Sequence, residues 1–191
     1  VVGLERRGLS PNSRRYLESG AVRMTEWSNA TLLWRYKAAV MGVPFLPARS
    51  IQGTDTFLHS AAKQIECPFT GLPLVAVPAL FPDVGVIHVH RSDIYGNAQV
   101  DGIGIADYEV SRACKRLIIT TEHSVDTEVI RANPSQTFIP FWLVDAVCEV
   151  RYGSYPANMP YEYYSDEPHL AHWLKIEQDE AEFQKFIDKY I

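Results

Sequence analysis

Glu26, Ser28 and Asn29 follow directly on Val22-Arg23-Met24-Thr25. Ala21 to Thr25 alternates like a strand, and Leu32, Leu33, Tyr36, Ala39 and Val40 recur at helical spacing until Gly42. Donor groups at a strand end beside a helix N-terminus suit a developing oxyanion, because the first-turn amides point outward and the dipole end is positive. In an α/β sheet that edge is also where ligands bind. The same residues fit plain capping, with Ser28 or Asn29 closing the first turn of the helix. The spacing leaves both roles open.

Other groups are weaker candidates. His88-Val89-His90 puts two imidazoles on one face of a strand near Asp93. A metal would need a third ligand from elsewhere, and hydrogen-bonded histidines at a strand end are the plainer reading. Glu122-His123-Ser124-Val125-Asp126 holds serine, histidine and aspartate in one run. A nucleophilic triad is assembled from separate loops, so turn or helix-cap chemistry is expected here instead. Neither GxGxxG nor GxxxxGK[ST] occurs, and Gly102-Ile103-Gly104 lacks a third glycine. That removes the common nucleotide fingerprints but not a CoA site, which no single short motif marks. Tyr155, Tyr161, Tyr163 and Tyr164, set among prolines, read as an ordered loop at an interface.

The elements that must position these groups follow from pattern. Residues 10–19 read as a short helix ended by Gly20, and Val43 to Pro47 as extended chain leading into a loop over 48–55. Leu72–Leu80 and Val84–Val89 are apolar, valine-rich strands, Arg116–Thr121 and Ala146–Val150 are further apolar strands, and a helix lies over 106–115. Continuous apolar strands alternating with helices imply an α/β fold: an open, mostly parallel sheet covered on both faces. After Ser165 the chain turns acidic, and His169, Leu170, Trp173, Leu174, Phe183, Phe186, Ile187 and Tyr190 give two amphipathic helices. Residues 1–191 read as one α/β domain.

Composition agrees with a globular chain. The 191 residues carry 18 basic and 23 acidic side chains, a net charge of -5. A sequence pI of about 5.7 lacks the basic footprint of a nucleic-acid binder. No apolar run reaches the roughly 18 residues of a membrane span. Cys67, Cys114 and Cys148 form no CxxC, so neither a zinc knuckle nor a redox pair is expected; a reduced cytoplasm is the simplest setting. Cys114 and Cys148 lie in apolar sequence and read as packing residues.

Longer strings carry a family resemblance. Thr25-Glu26-Trp27-Ser28-Asn29, then Met41-Gly42-Val43-Pro44-Phe45-Leu46-Pro47, then Arg49 with Gly53-Thr54-Asp55, resemble the α subunits of family I CoA-transferases, above all those of the glutaconate CoA-transferase group. Cys67-Pro68-Phe69-Thr70-Gly71, Val75-Ala76-Val77-Pro78-Ala79-Leu80 and Ile87-His88-Val89-His90-Arg91-Ser92-Asp93 continue the likeness. So do Ala113-Cys114-Lys115-Arg116 and Val144-Asp145-Ala146-Val147. Each string is weak alone; their order and spacing make the likeness specific, and it runs over nearly the whole chain.

The resemblance implies a subunit that pairs with a β chain, takes CoA as substrate and needs no permanent cofactor or metal. In such enzymes a β-chain glutamate attacks an acyl-CoA thioester, passing through an acyl-glutamyl anhydride and a glutamyl-CoA thioester in a ping-pong cycle. The α chain supplies acyl-site walls and an oxyanion-stabilising amide. Counted back from Gly42-Val43-Pro44, that amide falls on Asn29, with Glu26, Ser28, Arg49, Gln52, Gly53 and Thr54 as substrate-binding neighbours. Arg49 is suited either to a substrate carboxylate or to an ion pair with a neighbouring acid. Related two-subunit hydrolases of steroid-ring degradation carry glutamate where this chain has Asn29. Asparagine donates a hydrogen bond but cannot act as a general base, so the resemblance favours transfer over ring-opening hydrolysis. A non-catalytic paralogue that only binds a β-like partner is the third reading. Family α subunits also begin with a long glycine-rich segment ahead of the matched region. This chain is therefore expected to be roughly the C-terminal two-thirds of such a subunit, in a larger hetero-oligomer, with apolar surface exposed where the missing strands belong.

Overall fold

The computed structural model describes residues 10–190; the opening VVGLERRGL, which lacks a methionine, lies outside them. In chain order the elements are α1 (Pro11–Glu18), α2 (Asn29–Val40), β1 (Phe45–Ala48), α3 (Asp55–Leu58), β2 (Lys63–Glu66) and β3 (Pro73–Pro78). They continue with β4 (Val84–Ser92), β5 (Ala98–Gln99), α4 (Asp107–Ala113), β6 (Arg116–Ser124), α5 (Thr127–Ala132), β7 (Thr137–Ile139), β8 (Ala146–Glu149), α6 (Glu167–Ile176) and α7 (Glu180–Tyr190). They fall into two compact units. One holds residues 25–154 and 159–161; the other holds 10–24, 155–158 and 162–190.

The larger unit carries two sheets. β1, β3 and β2 form a small antiparallel sheet, with Leu46 opposite Val77 and Gln64 opposite Val75. The second sheet has the order β7–β5–β4–β6–β8. Its spine is parallel: Ile87 pairs with Ile119 between β4 and β6, and Ile119 with Val147 between β6 and β8. β5 and β7 add antiparallel strands at one end. The α/β class and the parallel pairs are as expected, and the sheet as a whole is mixed. β2, β5 and β7 are too short to announce themselves; pairing rather than pattern makes them strands.

Ile87, Val89, Leu117, Ile119, Ala98 and Ile139 form the core of this sheet, with Val110 and Cys114 from the α4 end packed on it. Burying each such aliphatic side chain contributes about 1.5–3 kcal/mol before entropy. Tyr36, Ala39 and Leu32 of α2 join Ala113 and Val110 beside the same helix. Gly85 lets α4 come close, since a Cβ there would sit 2.9 Å from Cys114 Sγ. Coverage is one-sided at the start of β4. Val84 and Val86, on the face opposite Ile87 and Val89, are exposed. Among the described residues, β5 borders only Arg91 and Ser92 of β4, so Val84–His90 have a neighbouring strand on the β6 side alone.

The expected strand over Ala21–Thr25 does not form. These residues are irregular and exposed, because five alternating residues without a partner have no ladder to complete. Helix ends follow the sequence more closely. Gly20 and Gly42 take φ of 69° and 68°, the left-handed conformation that terminates α1 and α2.

The smaller unit joins both ends of the described chain. Ser10 Oγ donates to Glu177 Oε2 at 2.8 Å, and Asn12 Nδ2 to the Glu177 carbonyl at 2.6 Å. The two expected amphipathic helices, α6 and α7, meet through Trp173, whose ring lies 5.5 Å from Phe183 and 5.1 Å from Phe186. Asp166 caps α6. The His169 amide, then the Tyr155 hydroxyl at 2.9 Å, hold its carboxyl below the usual range. No helix among the described residues is long and apolar enough to cross a membrane.

Candidate active site

The start of α2 separates two roles that the sequence left joined. Ser28 is the cap: its Oγ accepts from the Thr31 amide at 3.2 Å and lies 2.9 Å from Thr31 Oγ1. Asn29 is the first helical residue, and among the described residues its side chain makes no hydrogen bond. The capping reading therefore holds for Ser28 and not for Asn29. The Asn29 amide is exposed beside first-turn N–H groups that have no partner within the helix.

Trp27 and Arg35 fix the approach to this turn. The Arg35 guanidinium lies 4.5 Å over the Trp27 ring, and its Nε donates to the Pro78 carbonyl at 3.1 Å. Burial draws the Arg35 pKa down, and the nearby Tyr36 opposes that. The Glu26 amide donates to the His59 carbonyl at 3.1 Å, so Glu26 sits half-buried against the end of α3.

The second expected stretch, Arg49 to Thr54, is a tight loop after β1. Ile51 is buried with φ 61°, an uncommon conformation for a β-branched residue, and Gly53 follows at φ 72°. Thr54 is a cap in its own right. Its Oγ1 donates to the Ile51 carbonyl at 2.7 Å and accepts from the Phe57 amide at 3.4 Å. Arg49, Gln52 and Gly53 are exposed. One small core ties the two stretches together: Ala48, Ile51, Val75 and Val77 pack with Trp27, Trp34 and Phe57. Glu26, Ser28 and Asn29 thus rise from the same support as Arg49, Gln52, Gly53 and Thr54. Among the described residues no hydrogen bond or ion pair joins the two groups directly. What the arrangement offers chemically is a free amide and open helix N–H groups on one side, and an exposed guanidinium on the other.

A third cluster escaped the sequence reading, although His88 and Glu122 were each noticed. The parallel register sets His88 beside Thr120, two residues short of Glu122. His88 Nδ1 is 2.9 Å from Thr120 Oγ1, and Nε2 is 2.8 Å from Glu122 Oε1. Glu122 Oε2 accepts from the Tyr152 amide at 2.7 Å. Gly153 lies on the imidazole, where a Cβ would fall 2.8 Å from Nδ1. The signal was in the strand register, which pattern alone does not supply.

His90 is spent elsewhere: Nε2–H donates to the Pro160 carbonyl at 2.7 Å, and Nδ1 accepts from the Asp101 amide at 3.0 Å. Asp126 caps α5 through the Glu128 amide at 2.8 Å, as turn chemistry required, so no triad forms. No group of three or more metal-ligating side chains exists among the described residues. Burial, chiefly, raises the Cys114 pKa, in keeping with a packing role. Cys148 is exposed, which corrects its reading as a packing residue; β8 turns that side chain toward solvent.

Comparison with known proteins gives the relations. A family profile described as coenzyme A transferase matches residues 4–150. The chain is 55% identical over 190 residues to an uncharacterized protein of Archaeoglobus fulgidus, covering 99% of this chain and 42% of that one. It is 37% identical over 172 residues to the A-subunit of the 3-oxoadipate CoA-transferase of Pseudomonas knackmussii, covering 90% and 60%. With the crystal structure of the glutaconate CoA-transferase of Acidaminococcus fermentans it shares a TM-score of 0.90 at 28% identity, over 96% of this chain and 63% of that one. The chain thus spans less than two thirds of each of these relatives. With 147 consecutive residues matched by the profile and the fold shared at that score, the chain belongs to the coenzyme A transferase family.

Proposed function

We propose that this chain serves as the α subunit, or its C-terminal part, of a two-subunit CoA-transferase that moves CoA from an acyl-CoA to a small carboxylic acid. The acid is proposed to include dicarboxylates, with Arg49 pairing the second carboxylate. The observation that carries the reading is Asn29. It opens α2 in a chain of this family, and Ser28 has relieved it of the capping duty.

The chemistry divides between two chains. A β-subunit glutamate carboxylate adds to the thioester carbonyl, and CoA leaves as thiolate, forming a mixed anhydride. The thiolate then adds to the glutamyl carbonyl of the anhydride, expelling the first acid and forming glutamyl-CoA. The acceptor carboxylate reverses both steps. Each addition puts negative charge on a carbonyl oxygen. Asn29 Nδ2 donates to that oxygen, with the α2 dipole behind it. Glu26, Ser28, Gln52, Gly53 and Thr54 form the adjoining wall, Ser28 and Thr54 by holding their turns in shape. The three cysteines without a disulfide suit a reducing cytoplasm.

The test is to mix the chain with its β subunit, an acyl-CoA donor and acetate. New acyl-CoA supports transfer. Free CoA alone would turn the reading to hydrolysis, and a complex without turnover to a binding paralogue. Asn29→Ala should lower kcat by roughly ten- to a thousandfold without lowering Tm. An unchanged kcat would remove Asn29 from the oxyanion role.

A further inference from the structure

Four large apolar side chains stand in solvent on two neighbouring turns: Ile94 (73% exposed), Tyr95 (61%), Phe141 (51%) and Trp142 (72%). Neither turn is loose. The buried Asp93 carboxylate accepts from the Tyr95 amide at 3.1 Å, the Asn97 amide at 2.9 Å and Asn97 Nδ2 at 2.8 Å. The oxygen of the same Asn97 side chain accepts from the Phe141 amide at 3.1 Å. One asparagine therefore staples the turn after β4 to the turn after β7. The backbones also touch side to side. Gly96, at φ 98°, rests on Val144, where a Cβ would come within 2.7 Å. The Phe141 and Trp142 rings meet edge to face at 5.4 Å.

Such a patch is unusual for a surface that stays wet. No charged residue occurs in Ile94–Val100 or Pro140–Val144, and aromatic groups without charges mark the centre of an interface rather than its rim. The four side chains together present on the order of 500 Å². That is more than half of the roughly 800 Å² each partner contributes to a standard interface. Because the turns are already fixed, little ordering entropy is lost on docking. The first turn also leaves the carboxyl end of β4, the kind of edge at which α/β sheets meet their ligands.

We propose that Ile94, Tyr95, Phe141 and Trp142 are the anchor by which this chain docks an apolar surface of the β subunit. The inference rests on the two-subunit reading above. The experiment measures the Kd between the chain and its β subunit by calorimetry for the parent, for Ile94→Ser with Trp142→Ala, and for Ile103→Ser as an exposed control away from the staple. The double variant should bind more weakly by on the order of a hundredfold or more. The control should match the parent, and all three should melt alike, since the altered side chains lie in solvent. If the double variant melts early, Tyr95→Asp is measured in its place and read by the same rule. An unchanged Kd in a complex that does form overturns the anchor and leaves the two-subunit reading standing. A parent chain that forms no complex overturns that reading and the anchor with it. A parent chain that self-associates through Trp142 instead makes the patch a homomeric contact, which also overturns the proposal.

Discussion

Glu122→Ala should be a strongly damaging single change in the larger unit. The side chain is almost fully buried and accepts hydrogen bonds from His88 Nε2 at 2.8 Å and from the Tyr152 amide at 2.7 Å. Alanine takes the carboxylate acceptor away from both donors. Each such orphan costs about 1–3 kcal/mol, so the pair costs about 4 kcal/mol at mid-range. For a chain of this length about 1 kcal/mol moves Tm by 2–4 °C, which gives a drop of roughly 8–16 °C. Glu122→Gln supplies the contrast. Its oxygen still accepts from Tyr152, and its amide donates to His88 Nε2 if the imidazole proton moves to Nδ1 and points at Thr120 Oγ1, 2.9 Å away. The glutamine variant should therefore lose less than about 1 kcal/mol. Urea and thermal melts followed by far-UV circular dichroism measure both. Equal losses for alanine and glutamine would refute the argument, because charge rather than filled hydrogen-bond positions would then be what matters. A loss under about 1 kcal/mol for alanine would refute it from the other side.

Two smaller expectations follow from caps and thiols. Ser28→Ala should cost about 1 kcal/mol in urea melts, because it frees the Thr31 amide at the start of α2, while Ser28→Gly costs only a few tenths. Cys67 should be alkylated at lower pH than Cys114. The Thr70 hydroxyl, then the Phe69 and Thr70 amides, draw the Cys67 pKa down, burial lifts that of Cys114, and the thiolate is the nucleophile. Mass-spectrometric mapping after short iodoacetamide pulses from neutral to mildly alkaline pH reads the order, and Cys114 reacting first would contradict it.

What could be read from the sequence was whatever a local rule governs. Glycines marked where α1 and α2 stop, and apolar β-branched runs marked β3, β4 and β6. The cap at α2 was foreseen, but not whether Ser28 or Asn29 makes it, because both residue types cap well and only the backbone decides. Where partners come from far along the chain, pattern ran out. Val22–Thr25 alternates as well as many strands do but has no neighbour to bond. Conversely Ala98–Gln99 has no pattern and becomes a strand because Arg91, Ser92, Thr137 and Ile139 border it. His88 and Glu122 were seen as members of two separate clusters, and only the β4–β6 register makes them one. The family strings placed the candidate site residues along the chain. The small core of Ala48, Ile51, Val75 and Val77 is what stands them on a common support.

The hydrogen bond from Ser10 to Glu177 spans 167 positions, and this has a consequence for biosynthesis. α1 leaves the ribosome 167 residues ahead of the carboxylate that holds it. Closing so long a loop is slow relative to local pairing, and its entropy is lost before any contact compensates for it. The strands of the larger unit, β1 to β8, are all synthesised in between and can pair as they emerge. A chain stopped anywhere before α6 would carry α1 as an undocked peptide, unable to help the rest fold. Proteolysis of such stalled chains should accordingly cut at α1 before it cuts the sheets.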